Sequence, residues 1–214
     1  MEITWLGHAC FRLRGKNVTI ITDPYEDRIG YKLGRVTADI VTVSHEHYDH
    51  NNVAAVGGEP KVINGPGEYE IGGIFITGIQ TWHDAESGHR RGRNTAYLIE
   101  MDDLVTCHLG DLGHVLSAQQ AEAMSNVDVL MVPVGGNFTI NAAQAAEVIS
   151  LIEPRIVIPM HFKTEGLKLE IEPLDRFARA MGLKEIKTVP KLTVTKSSLP
   201  EETQVVVLDY KAKA

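Results

Sequence analysis

The segment Ser44-His45-Glu46-His47-Tyr48-Asp49-His50 directly follows the apolar run Ile40-Val41-Thr42-Val43. Side chains alternate along an extended strand, so His45, His47 and Asp49 can point the same way, with His50 swung round as the chain turns. Neutral imidazole suits zinc, iron, nickel or copper, and a carboxylate adds an oxygen ligand that manganese also accepts. The segment therefore predicts a metal site at the end of a strand.

In this setting, His-x-His-x-Asp-His resembles the signature of the metallo-β-lactamase superfamily. Three further stretches, Thr4-Trp5-Leu6-Gly7-His8, Thr22-Asp23-Pro24 and Pro159-Met160-His161-Phe162, resemble more particularly the branch of small hydrolases that includes L-ascorbate-6-phosphate lactonase. The similarity extends from about Ile3 to the last predicted strand. It implies a metal-dependent hydrolase with the α+β four-layer αββα sandwich of that superfamily.

Composition limits the class of protein. With 214 residues, 43% hydrophobic and 23% charged, the chain suffices for one domain spanning residues 1–214. The formal net charge of -7 argues against a nucleic-acid partner. No apolar run is long enough to span a membrane. The N-terminus begins a strand pattern rather than a signal peptide, and two cysteines cannot make a disulfide framework, so we expect a cytoplasmic location.

The order of elements agrees with this fold. β-rich runs at Glu2–Arg12 and Val18–Thr22 predict an opening hairpin, and Asn51–Val56 predicts a short helix. Capping-box patterns predict helices that begin after Ser117 and Asn141. The remaining predictions are buried strands at Asp128–Pro133 and Arg155–Pro159 and a third helix at Pro173–Met181. Strands followed by alternating helices and strands suggest two sheets between helix layers.

Three more candidate ligands, His83, Asp111 and His161, each follow a predicted strand. Read onto the superfamily pattern, one ion would be held by His45, His47 and His83, and the other by Asp49, His50 and His161. Asp111 would bridge the two ions. His89 lies in the same loop as His83, so either histidine could complete the first set.

The resemblance implies two divalent ions, with zinc expected first and manganese or iron as alternatives. Such a pair lowers the pKa of a bridging water towards about 7 and provides hydroxide at neutral pH. Asp49 would orient or deprotonate this nucleophile. No Gly-x-Ser-x-Gly segment is present, and Cys10 and Cys107 lie in apolar strand patterns, so direct hydrolysis is expected.

Four residues are candidates for roles beside the ligands. Asp23 ends a strand, where its carboxylate could hold a ligand imidazole in one tautomer, with turn capping as the alternative. His8 and His108 would contact the ligands, and for both we favour structural hydrogen bonding. His114 is a candidate general acid because an imidazole titrates near pH 6.5, with a hydrogen bond inside the turn as the alternative.

Cationic residues point to an anionic substrate. Arg90, Arg91 and Arg93 follow His83, and Lys163 follows His161. Guanidinium groups suit phosphate or carboxylate, although a solvated loop is the alternative. We therefore predict a small-molecule substrate that is an anionic ester, lactone or phosphodiester. The other readings are a non-catalytic metal-binding or sensing protein and, less favoured, a nuclease. A homo-oligomer is expected only from the resemblance.

Overall fold

Two mixed β-sheets form the centre of the protein in a computed structural model that describes residues 1–210. The strands, in chain order, are β1 (Glu2–Gly7), β2 (Cys10–Arg14), β3 (Thr19–Thr22), β4 (Val36–Thr37), β5 (Ile40–Thr42), β6 (Val56–Gly57), β7 (Lys61–Ile63), β8 (Gly67–Ile71), β9 (Ile74–Trp82), β10 (Arg93–Met101), β11 (Leu104–His108), β12 (Val129–Pro133), β13 (Ile156–Met160), β14 (Thr188–Val189), β15 (Leu192–Thr193), β16 (Gln204–Val205) and β17 (Val207–Leu208). The helices are α1 (Ala118–Ala123), α2 (Ala142–Ile152) and α3 (Asp175–Ala180), with 3₁₀ turns at Asp27–Ile29, Val53–Ala55 and Lys196–Ser198.

The first sheet has the order β15-β1-β2-β3-β5-β7, and the second has the order β16-β13-β12-β11-β10-β9-β8. In the first sheet, β1, β3, β5 and β7 run in one direction; in the second, β9, β11, β12 and β13 share a direction. Candidate ligands or their neighbours follow β1, β3, β5, β9, β11 and β13. The carboxyl ends of strands are where open α/β sheets commonly bind ligands.

Local sequence patterns account for the first two helices. Ser117 and Asn141 are the N-caps of α1 and α2, and both capping boxes form through Gln120 and Gln144, as predicted. These bonds satisfy backbone N–H groups that the first helical turn cannot pair.

Three predicted boundaries were wrong. The short helix predicted over Asn51–Val56 is a 3₁₀ helix confined to Val53–Ala55, because Val56 already belongs to β6. The third helix is shorter than Pro173–Met181, since it spans Asp175–Ala180. The run Glu2–Arg12 is two strands, separated at His8, which adopts a positive φ of 56°.

The first sheet is buried on both faces. Ile20 and Ile40 belong to the main core cluster, which also contains side chains from the second sheet, whereas their neighbours Ile21 and Val41 belong to a smaller cluster. The smaller cluster is closed by loop and 3₁₀ residues, among them Tyr25, Ile29, Leu33, Leu167 and Ile171. The α2 residues Ala145, Val148 and Ile152 join the main core. Among residues 1–210, no helix has the length and apolar character that a membrane crossing requires.

Tyr97 connects the two sheets next to the metal motif. Its side chain on β10 is fully buried, and its hydroxyl donates a hydrogen bond to the backbone oxygen of Val43 at 2.8 Å. The backbone oxygen of Ile63 lies 3.3 Å from the same hydroxyl. Val43 immediately precedes Ser44, so this contact also holds the start of the motif.

We expect Tyr97→Phe to lower the free energy of unfolding by about 1–2 kcal/mol, because the Val43 backbone oxygen would lose its hydroxyl donor. Denaturant unfolding of the metal-free protein measures this loss. Tyr69→Phe is the matched control, since the Tyr69 hydroxyl also donates to a backbone oxygen, that of Gly65 at 3.0 Å, but in a partly exposed hairpin. Equal losses in the two variants would contradict the connecting role of Tyr97.

Candidate metal centre

The structure brings all seven predicted ligands together at one edge of the sheets. Donor atoms that lie within 4.8 Å of one another form three overlapping groups: His45 with His47 and His83; His45 with His50 and Asp111; and His8 with Asp49, His50 and His161. The first group matches the predicted first ligand set. His89 is exposed and lies outside these groups, whereas His83 is buried within one of them.

Asp111 lies at the centre of this cluster. Its Oδ2 atom is 3.3 Å from the Nε2 atoms of His50, His83 and His161 and 3.9 Å from Nε2 of His45. Its Oδ1 atom is buried without a hydrogen-bond partner among the described residues. Burial alone would raise the pKa of Asp111, but the surrounding His161 and His50 lower it far below its usual value. Asp111 thus contacts histidines of both predicted ligand sets.

Ser44 and Asp23 determine the tautomers of two histidines that are predicted ligands, His45 and His50. The Ser44 hydroxyl donates to Asp23 Oδ2 at 2.6 Å, so it accepts a hydrogen bond from His45 Nδ1 at 2.9 Å. Asp23 Oδ2 also accepts a hydrogen bond from His50 Nδ1 at 2.9 Å, and Asp23 Oδ1 accepts one from the Ser44 backbone N–H at 2.8 Å. Both histidines therefore direct an Nε2 lone pair into the cluster, as metal binding requires.

Two residues of this network were missed by sequence reasoning. The Ser44 hydroxyl bonds both Asp23 and His45, and its position next to a predicted ligand histidine was the signal for this role. Asn94 accepts a hydrogen bond from the backbone N–H of Asp111 at 2.9 Å and donates to the backbone oxygen of Leu109 at 2.9 Å. Asn94 holds the Asp111 turn in place, and no local pattern indicated this contact.

The buried carboxylates of the cluster carry negative charge that bound cations would balance. Asp23, Asp49 and Asp111 are buried, and among the described residues none of them pairs with a lysine or an arginine. Burial of unpaired carboxylates is costly. These residues therefore fit divalent metal ions.

Burial also favours neutral imidazoles, the form that binds metals. It lowers the pKa of His8 to about 4, and it lowers the pKa values of His45 and His83 as well. His50 differs: burial would lower its pKa, but the carboxylates of Asp111, Asp23 and Asp49 raise it well above the usual value. A metal ion at His50 Nε2 would replace that proton and supply positive charge to the same carboxylates.

The other two candidate histidines form hydrogen bonds with the backbone. His108 Nε2 donates to the backbone oxygen of Ala9 at 2.8 Å, and its Nδ1 accepts from the Gly110 N–H at 3.2 Å. His114 accepts from the Trp82 N–H at 3.2 Å and donates to the Val115 oxygen at 2.8 Å. His114 lines a separate cavity of about 580 Å³. Both ring nitrogens of His114 are therefore engaged with backbone groups outside the predicted ligand cluster.

A cleft of about 300 Å³ opens over the cluster. Its lining residues are His47, Tyr48, Asp49, His83, Arg90, Arg91, Asp111, Phe138 and Leu169. Two of the four cationic side chains predicted to bind substrate, Arg90 and Arg91, thus line the cleft, whereas Arg93 and Lys163 do not. Arg93 is exposed at the start of β10, and Lys163 Nζ donates to the Leu169 oxygen at 2.7 Å.

Asp84 holds the loop that carries the two cleft arginines. Its carboxylate accepts hydrogen bonds from the backbone N–H groups of Glu86, Gly88, Arg90 and Arg91 at 2.8–3.0 Å. Desolvation would raise the pKa of Asp84, but these donors lower it to about 2. The Arg91 guanidinium lies 5.3 Å from the centre of the Phe138 ring. Arg91 is therefore supported at both its backbone and its side chain.

Known proteins resemble this chain along most of its length. The beta-lactamase superfamily domain matches residues 2–161. A UPF0173 protein of Pyrococcus abyssi is 32% identical over 80% of this chain and 91% of its own length. A UPF0173 metal-dependent hydrolase of Archaeoglobus fulgidus is 29% identical over 86% of this chain and 93% of its own length.

A solved structure has the same fold. It is a Thermotoga maritima protein described as a proposed Zn-dependent hydrolase of the metallo-beta-lactamase superfamily. It aligns with a TM-score of 0.80 and 39% identity over 97% of both chains. The predicted fold class is thereby confirmed. The chain belongs to the metallo-β-lactamase superfamily and, within it, to the UPF0173 metal-dependent hydrolase family.

Proposed function

We propose that this protein is a hydrolase that uses two divalent metal ions to cleave a small anionic ester, lactone or phosphodiester. The names of its relatives support metal-dependent hydrolysis. The observation that carries the proposal of two ions is the position of Asp111. One oxygen of its carboxylate faces histidines of both ligand sets, and the other oxygen is buried without a partner among the described residues.

One ion would be held by His45, His47 and His83, and the other by Asp49, His50 and His161. Asp111 would contact both ions. Ions bound there would polarise the scissile carbonyl or phosphoryl group and lower the pKa of an attacking water towards about 7. Asp49 lines the cleft and would orient that water and accept its proton. Asp23 would keep the His50 ring in its binding tautomer through the Nδ1–H hydrogen bond. Arg93 and Lys163 have no part in this mechanism.

Zinc is the metal we propose, because five imidazoles and two carboxylates are ligands that it commonly takes. Manganese or iron would also accept this set, and availability then decides between them. We further propose a cytoplasmic location, because the chain has only two cysteines, Cys10 and Cys107, which are too few for a disulfide framework.

The cleft supports the proposed substrate class. Its volume of about 300 Å³ suits a small molecule rather than a polymer. Arg90 and Arg91 would bind the anionic group, and Phe138, Leu169 and Tyr48 would contact an apolar part of the substrate. The likeness to L-ascorbate-6-phosphate lactonase rests on sequence motifs alone, so a phosphorylated sugar lactone is one member of this class to test.

We expect Arg91→Ala to raise KM for anionic substrates about 10-fold to 100-fold, since a charge-assisted hydrogen bond contributes about 1.5–3 kcal/mol. Metal content and turnover of neutral esters should not change. Arg93→Ala is the matched control, because Arg93 belongs to the same basic segment but does not line the cleft. Steady-state kinetics on paired charged and neutral substrates measures both effects. Equal KM changes in the two variants would exclude a specific role for Arg91.

The function is tested by elemental analysis of untagged protein together with turnover of a phosphodiester and a panel of lactones. We expect about two metal equivalents and turnover that a chelator abolishes. Two equivalents without any turnover would instead support the sensing alternative. Failure to bind zinc, manganese or iron after reconstitution would overturn the proposal.

A further inference from the structure

His8 lies beside the second ligand set, although it belongs to the opening hairpin rather than to the metal motif. Its backbone oxygen accepts hydrogen bonds from Trp5 Nε1 at 2.9 Å and from the backbone N–H of His161 at 3.1 Å. Its imidazole is fully buried, and its ring centre lies 4.2 Å from that of His161 with the two ring planes inclined by 39°. The turn after β1 therefore delivers a third imidazole to the place where His50 and His161 meet.

The spacing of His8 is that of a metal ligand. Its Nε2 atom is 3.1 Å from Asp49 Oδ2 and 3.2 Å from His50 Nε2. Donors that share one zinc ion at about 2.1 Å stand about 3.0–3.4 Å apart in octahedral or tetrahedral arrangements. All four donor atoms, including that of His161, lie within 4.8 Å of one another.

Hydrogen bonding separates His8 from the histidines that are structural. His108 and His114 engage both ring nitrogens with backbone groups. The Nε2 atom of His8 instead faces a carboxylate oxygen and a nitrogen lone pair, because His50 donates its Nδ1 proton to Asp23. The Nδ1 atoms of His8, His83 and His161 share a further feature, since each is buried without a hydrogen-bond partner in the described part of the chain.

We infer that His8 is a direct ligand of the second metal ion, together with Asp49, His50 and His161. This inference rests on the proposed metal centre and adds a ligand that the His-x-His-x-Asp-His pattern does not contain. The second site is then enclosed, because His8, His50 and His161 are at most 1% exposed, whereas His47 of the first site is exposed. The second ion should therefore leave more slowly than the first.

His8→Asn tests the inference, because asparagine tolerates the positive φ of this position but cannot reach the ion as imidazole does. Zn²⁺ affinity is measured on metal-free protein by competition with a chromophoric chelator. Loss of a residue that only orients a ligand weakens metal affinity about 10–100-fold, so loss of a direct ligand should weaken one site by more than about 100-fold. The absorption spectrum of the Co²⁺ form should change, and EDTA should remove both ions rapidly instead of in a fast and a slow phase.

His89→Asn is the control, since this exposed histidine lies outside the donor groups of the described residues. It should retain both affinities and the biphasic metal loss. A structure of the zinc-loaded wild-type protein gives an answer that does not depend on the variant folding: His8 Nε2 should lie about 2.0–2.3 Å from an ion. A distance above about 3 Å, or a His8→Asn variant with both affinities within about 100-fold of wild type, would reject the inference. Wild-type protein that binds no metal would reject the proposed function as well.

Discussion

Asp111→Asn is expected to release at least one of the two proposed metal ions and to reduce kcat/KM on the order of 10³-fold or more. This loss exceeds the roughly 10–100-fold loss of metal affinity or activity that follows removal of a residue that only hydrogen-bonds to a ligand. The reason is the position of the carboxylate, whose Oδ2 atom lies 3.3 Å from histidines of both ligand sets. An amide of the same size keeps the shape of the turn but removes the negative charge that two cations would share.

Asp128→Asn is the matched control for this substitution. Asp128 is equally a buried aspartate, but it accepts hydrogen bonds from Lys196 Nζ and from the Val105 N–H, both at 2.9 Å, and belongs to no donor group. It should lower the free energy of unfolding while leaving metal content and kcat/KM unchanged. Elemental analysis and steady-state kinetics on both variants measure the difference. Retention of two ions by Asp111→Asn would contradict the bridging role.

His47→Ala is the second substitution with a large expected effect. His47 is exposed, so its removal takes little packing from the core and should change the free energy of unfolding of the metal-free protein by less than about 0.5 kcal/mol. Its Nδ1 atom lies 3.0 Å from His45 Nε2, within the first ligand set. We therefore expect bound metal and activity to fall together while stability without metal is preserved.

Glu46→Ala provides the comparison, because Glu46 is the exposed neighbour of His47 and belongs to no donor group among the described residues. Metal titration, kinetics and thermal unfolding of both metal-free variants separate loss of a ligand from loss of fold. If His47→Ala binds the same number of zinc ions as Glu46→Ala, the first ligand set is wrong.

Much of the fold and part of the site could be predicted because their causes are local. The capping boxes at Ser117 and Asn141 depend on atoms three residues apart, and both formed. The short helix predicted at Asn51–Val56 is limited to Val53–Ala55 because β6 pairs with β4, a contact between segments twenty residues apart. The β-rich run Glu2–Arg12 is interrupted at His8. The backbone oxygen of His8 accepts a hydrogen bond from the backbone N–H of the distant His161.

The basic segment after His83 shows the same difference between what local sequence indicates and what distant contacts decide. Its charge was visible in the sequence, but which arginine reaches the cleft depends on strand pairing. Arg93 pairs with Trp82 in the β9–β10 ladder and is exposed, whereas Asn94, one residue later, points inward and binds the Asp111 turn. Arg91 precedes the strand and is positioned by Asp84.

The sequence by itself determined the superfamily fold and the chemical nature of the predicted ligands, because His45 to His50 carry their pattern within six residues at the end of one strand. Tertiary structure alone decided that His83 rather than His89 joins them, that Asn94 and Ser44 support them, and that His8 lies 3.1 Å from Asp49. Donor geometry of this kind forms only when the carboxyl ends of six strands from two sheets meet at one edge, and no short stretch of sequence contains the contacts that set their register.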